Sequence, residues 1–249
     1  MIVLALALGL STLLAGAEPN ADAPSQAEAR IERHDGAQFV VVPARPVVSS
    51  GEVVTYRVLV EKEYAGLADE FAGHIDDVLA EADGWAAAGY TFAPTEGKAD
   101  ITIVLAAPKT VDRMCAPLQT GGTFSCGRKG RVVINARRFK HGATTYRGKL
   151  EQYRTYVVNH EVGHLLGFDH RECPGRGMRA PVMLQQTKSL AGCTRGSTPR
   201  ADEVASLAAR PPRYLAKRSL EVSPAITAVV AGVATRPARE GRAPLRAAP

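Results

Sequence analysis

Residues that commonly carry chemistry are scarce in this chain. Its 249 residues include only four cysteines, six histidines, four methionines and one tryptophan. No two cysteines form a CxxC pair, which argues against a thiolate metal knuckle. Long apolar runs are also missing. Ile2 to Ala17 and Ala225 to Ala234 both fall short of the roughly 20 residues that a membrane-spanning helix needs. Positive charge is absent where a nucleic-acid surface would need it. The net charge is +6, but the eight basic and two acidic residues from Arg210 onward account for all of it. The remaining body is formally neutral, so no nucleic-acid partner is expected.

The apolar fraction, 45%, is ordinary and allows a real core. Ile2 to Ala17 ends in Ala15-Gly16-Ala17, which reads as a signal peptide over residues 1–17, with an uncleaved anchor as the alternative. Residues 18–35 read as a disordered spacer, 36–210 as one domain and 211–249 as a disordered basic tail rich in Ala, Pro and Arg. The tail is either solvated linker or a weak contact with anionic envelope polymers or lipid. An even number of cysteines suits an exported, disulfide-bonded protein. Cys115, Cys126, Cys173 and Cys193 allow three pairings, and proximity favours Cys115–Cys126 with Cys173–Cys193. Closing the second loop is worth roughly 3 kcal/mol in the chain-entropy model.

Strands are expected at Ala37–Val42, Glu52–Glu61, Tyr90–Phe92, Ala99–Ala106 and Arg131–Asn135, from β-branched runs bounded by Pro and Gly. Leu67, Phe71, Ile75, Val78 and Leu79 recur at helical spacing and predict a helix to about Ala82, with His74 on its surface. Asp112 to Gly130 reads as a looped excursion with a short edge strand at Thr123–Cys126, and Gly127 to Gly130 as a turn. Leu150 to Leu166 reads as the next helix. A last one opens at Thr198-Pro199 and runs to about Ala209.

Three of the six histidines fall within Asn159-His160-Glu161-Val162-Gly163-His164-Leu165-Leu166-Gly167-Phe168-Asp169-His170. His160 and His164, four apart, share one helix face. Gly167 ends the helix and lets the chain return with His170. Three imidazoles and a water make an open, catalytic-type zinc site, and Glu161 stands beside it as the general base. A chance match to HExxHxxGxxH in such a composition is on the order of a few in a hundred thousand, whereas HExxH alone is far weaker. The alternatives are a surface cluster or a structural site, which would want a fourth protein ligand. Gly163, costing about 1 kcal/mol inside a helix, points to a close packing contact.

HEVGHLLGFDH resembles the zinc signature of the metzincin metalloproteases. The run from about Gly36 to Leu207 is similar, more narrowly, to a family of exported metzincin-like domains from actinobacteria. The resemblance implies an α+β zincin domain with a mixed sheet, an active-site helix and a methionine turn, here matched by Met183 in Ala180-Pro181-Val182-Met183. It implies one catalytic Zn²⁺ on His160, His164 and His170, peptide-bond hydrolysis through Glu161, and a monomer acting on polypeptide outside the cytoplasm. It also implies an edge strand that binds substrate backbone, carried here to Thr123–Cys126, although an edge strand without a partner fits as well. Many metzincins are zymogens. No cysteine precedes Cys115, which excludes a cysteine switch, and Asp35 reads as part of a surface turn rather than a zinc cap. No tyrosine closely follows Met183, and no calcium loop is recognisable. A non-catalytic zinc-containing binding module and a hydrolase of cell-wall peptides are the rival expectations.

Overall fold

The computed structural model describes residues 30–45 and 52–208. The expected signal segment, most of the spacer and the basic tail lie outside them. The described part is a mixed α+β structure built on a mixed sheet with two disulfides. Its strands are β1 (Ile31–His34), β2 (Ala37–Val41), β3 (Glu52–Glu61), β4 (Tyr90–Pro94), β5 (Ile101–Ala106), β6 (Cys126–Arg128) and β7 (Arg131–Asn135). They run in the order β1-β2-β3-β5-β7-β6, with β4 paired to the first half of β3. β3, β5 and β7 are parallel, and antiparallel pairs flank them on both sides. The helices are α1 (Ala68–Ala80), α2 (Pro108–Cys115), α3 (Ala136–His141), α4 (Leu150–Leu165) and α5 (Ala201–Ala208).

Side-chain alternation along the central strands supplies two cores. Val54, Tyr56, Val58 and Val60 of β3, Ile101, Ile103 and Leu105 of β5, and Val132 and Ile134 of β7 face the main one. Phe71, Ile75, Val78 and Leu79 of α1 complete it, with Tyr153, Tyr156, Val157 and Val162 of α4. The intervening residues Leu59, Val104 and Val133 form a smaller cluster with Val111 and Met114 of α2 and with the Cys115–Cys126 pair. The sheet is therefore buried on both faces, as its central parallel strands require.

Several expectations are corrected. Ile31–His34 is a strand rather than spacer, joined to β2 through Asp35-Gly36, both of which have positive φ. Asp35 is ion-paired with Arg131 at 2.9 Å, in keeping with a surface turn. The excursion after Asp112 begins inside α2, and α3 follows β7 directly, capped by the Asn135 side chain on the Arg137 amide. The edge strand lies at Cys126–Arg128, not Thr123–Cys126, and pairs antiparallel with β7. The turn is thus confined to Lys129-Gly130, where φ is positive. Pro199 precedes α5 rather than opening it. His74 is half-buried, with Nε2 enclosed and Nδ1 3.8 Å from Glu151.

Candidate metal centre

The metal-ligand candidates hang from α4, a helix whose surroundings bury eleven of its sixteen residues. Such a helix needs partners on all sides. The sheet and α1 contact it, and Trp85 donates its indole N–H to the Asn159 carbonyl at 2.9 Å. Gly163 explains how the turn carrying Met183 fits beneath. A Cβ there would lie 2.4 Å from the Met183 sulfur and 2.9 Å from the Trp85 ring. The close packing inferred from this glycine is present, and Met183 is fully buried against it.

The end of α4 is a Schellman motif. The Phe168 amide donates to the Gly163 carbonyl at 3.0 Å and the Gly167 amide to His164 at 3.1 Å, with Gly167 at φ +94°. This reversal returns His170 to the helix. The ligand atoms of His160, His164 and His170 all lie within 4.8 Å of one another, a cluster that could hold a metal ion. His164 Nε2 and His170 Nε2 are 3.2 Å apart. Two ligands at about 2.0–2.1 Å on a tetrahedral ion would be separated by roughly 3.3 Å.

The donor chemistry fits an ion as well. His160 Nδ1 faces the Val182 carbonyl at 2.8 Å, and His164 Nδ1 faces the Phe168 carbonyl at 2.8 Å. A proton on each Nδ1 satisfies those carbonyls and leaves Nε2 as a lone-pair donor. Burial pushes all three imidazoles below the ordinary histidine range, His160 to about 3. They are therefore neutral at pH 7, the form a metal requires.

Glu161 is 5% exposed, and burial lifts its carboxyl to about 8, against the pull of a hydrogen bond from the Gly127 amide. It opens on the same cleft as the imidazoles, a cavity of about 590 Å³. A carboxyl so placed can take up or release a proton near neutral pH. The cleft's opposite wall is β6 and the segment before it. There Gly127 lies so close to α4 that a Cβ would sit 1.9 Å from the Glu161 carbonyl oxygen. Asp112, bonded to the Thr120 hydroxyl and the Gly122 amide, and Asn135, bonded to the Gly122 carbonyl, fasten that segment.

The turn at Val182-Met183 is braced by residues that sequence reasoning did not single out. The Glu203 carboxylate, fully buried, accepts from the amides of Val182 at 3.0 Å, Met183 at 3.1 Å and Arg200 at 2.9 Å. Its reach back to Arg200 is half of a capping box at the start of α5, the one local signal that could have disclosed it. Gln186 bonds to Tyr146, Pro181 and Gly196. Tyr156 lines the cleft, but its hydroxyl is occupied, donating to Leu184 and accepting from the Gln186 amide. The Met183 carbonyl accepts from the Arg171 amide, which ties the turn to the chain next to His170.

Both disulfides join the expected partners, Cys115–Cys126 and Cys173–Cys193. The first anchors β6 at the cleft wall and the second closes the loop that contains Met183. Such bonds persist in oxidising, extracytoplasmic surroundings. No helix among the described residues is long and apolar enough to cross a membrane.

Residues 26–201 match a family described as protein of unknown function, DUF3152. The chain belongs to the DUF3152 family. A comparison with curated proteins gave no match. The family match covers every residue of the histidine cluster, Glu161, Met183 and all four cysteines, whereas Glu203 lies just beyond its end.

Proposed function

We propose that this DUF3152 protein is an extracytoplasmic zinc peptidase of the metzincin type. The observation that carries the reading is the convergence of His160, His164 and His170 beside Glu161 on one open cleft. The glycine-mediated return to His170 and the buried Met183 beneath the helix support the metzincin assignment over that of a zincin with only two histidines on its helix. Zinc is the natural occupant of three neutral imidazoles with an open fourth position, and it would supply a Lewis acid there.

The chain's own groups then divide the work. Glu161 takes the proton of the attacking water on its carboxylate and returns it to the departing amine. Val182 and Phe168, through their carbonyls, hold two imidazoles in the tautomer that leaves Nε2 free. β6 closes the wall above Glu161 and keeps its carboxyl out of bulk water. With the Tyr156 hydroxyl occupied elsewhere, no tyrosine is assigned to carbonyl stabilisation.

The test is cleavage of a diverse peptide library by the zinc-loaded protein beside Glu161→Ala. Cuts made by the parent should slow by about 10²- to 10⁴-fold in the variant. Silence from both, with one zinc bound per chain, would overturn the peptidase reading.

A further inference from the structure

Three groups lining the cleft carry or can carry a full charge besides the histidines: Glu161, Asp169 and Lys188. Glu161 sits buried at the floor, and Asp169 adjoins the third histidine. Lys188 belongs to the segment that follows Met183. Its Nζ donates to the neutral side-chain oxygen of Gln185 at 3.1 Å and lies 5.1 Å from the centre of the Phe124 ring. Both of those partners also line the cleft. Several other cations are ion-paired, Arg154 with Glu70 and Glu151, Arg171 with Asp202, Arg131 with Asp35, and Arg128 of β6 is taken up by the carbonyls of Cys115 and Ala116. Among the described residues no carboxylate is ion-paired with Lys188.

Lys188 is exposed, so its ammonium stands near an aromatic face at the solvent side of the cleft, without a counter-ion, where it can receive an anion from outside. Its positive charge reaches the histidine cluster, acting on His160 and His170. A single ammonium suits a singly charged carboxylate, whereas phosphate recognition usually recruits several donors or an arginine fork. Leu118, 51% exposed, and Phe124 offer apolar surface for the stem that carries it.

We propose that Lys188 is the specificity-determining residue of the cleft, binding a carboxylate that the substrate carries close to the bond presented to the histidines. The inference rests on the reading of this cleft as a peptide-binding site. The carboxylate is either an Asp or Glu side chain or a free C-terminus.

The experiment uses matched peptides with Glu or Gln at each position near the cut, each with a free or an amidated C-terminus. Binding is measured by fluorescence anisotropy on zinc-loaded Glu161→Ala protein, alone and with Lys188→Met or Lys188→Glu added. Cleavage is measured with Glu161 intact. The carboxylate form should bind about two- to fivefold tighter than its neutral counterpart, the scale of a pair that involves an exposed ammonium. Lys188→Met should bring that ratio to about one, and Lys188→Glu should invert it. A preference that survives amidation assigns the carboxylate to a side chain, and one abolished by amidation assigns it to the terminus. Equal binding of both forms, no binding at all, or a preference that persists in Lys188→Met overturns the inference. Cleavage without acidic preference overturns it while leaving the peptidase standing. Lys188-dependent binding without any cleavage does the reverse.

Discussion

Gly127→Ala is a demanding test of how the cleft wall is built. The added Cβ would lie 1.9 Å from the Glu161 carbonyl oxygen and 2.8 Å from its carbonyl carbon. Both are backbone atoms of a helix buried on most of its surface, so they cannot swing aside. Ordinary contact begins near 3.4 Å, and β6 must retreat from α4 by roughly 1.5 Å. That retreat removes the amide hydrogen bond to the Glu161 carboxyl and opens the wall to water. Overpacking of this kind costs about 1–3 kcal/mol, and a weakened hydrogen bond to an ionisable group adds on the order of 1 kcal/mol. A total of about 2–4 kcal/mol would lower Tm by roughly 5–15 °C for a domain of this size. Thermal unfolding gives the magnitude, and hydrogen exchange of the β6 amides gives its location. Gly73→Ala in α1 is the control, because nothing lies within 4 Å of its Cβ and the change should stabilise the helix by about 1 kcal/mol. A Gly127→Ala protein with the parent's Tm and unaltered β6 protection would refute this account of the wall.

Two further predictions concern the proposed metal centre. At pH 7 the metal-free protein should hold Glu161 mostly protonated and its three histidines neutral. Zinc uptake should therefore release close to one proton, falling to little as the pH rises above about 8. Calorimetry in buffers of different ionisation enthalpy measures it, and Glu161→Gln should remove most of it; release that persists in that variant would point elsewhere. Glu203→Ala strands the buried amides of Val182 and Met183 and releases the part-buried amide of Arg200. It should cost about 2–4 kcal/mol of stability and, by loosening the carbonyl that orients His160, weaken zinc binding about 10- to 100-fold. Chelator competition checks the affinity, and an undiminished value would separate Glu203 from the metal centre.

The cluster was legible because its residues are close in the chain. His160, His164 and Gly167 act through helix periodicity and a C-cap, both of which are local rules. Gly163 was legible for the same reason, since a glycine within a helix demands an explanation. Long-range partners left little trace. Nothing local pairs Glu203 with Val182, and Gln186 reaches Gly196 and Tyr146 only after the fold has formed. Gly127-Arg128 resembles a turn in the sequence and so masks the true position of β6, because that glycine answers to the helix beneath it. α2 was hidden by its polar composition, and β1 by its brevity: the hairpin turn at Asp35-Gly36 was visible, but Ile31–His34 carries too little apolar alternation to stand out. His74 looks exposed in the sequence because its enclosure comes from distant residues of α3 and α4. Phe139 lies against its ring at 5.9 Å, and Glu151 lies near its Nδ1.

The chain's single tryptophan occupies an instructive place. Trp85 is buried, stacks on Phe168 at 4.9 Å between centroids and donates to the backbone of the helix immediately before His160. The carbonyl of that same Phe168 orients His164. Intrinsic tryptophan emission from the folded protein therefore comes from one indole, joined through a single neighbour to a candidate metal ligand. If the histidine cluster takes up an ion as proposed, its loading and stripping, with any shift of the helix end, should be read as a spectral change without an attached label.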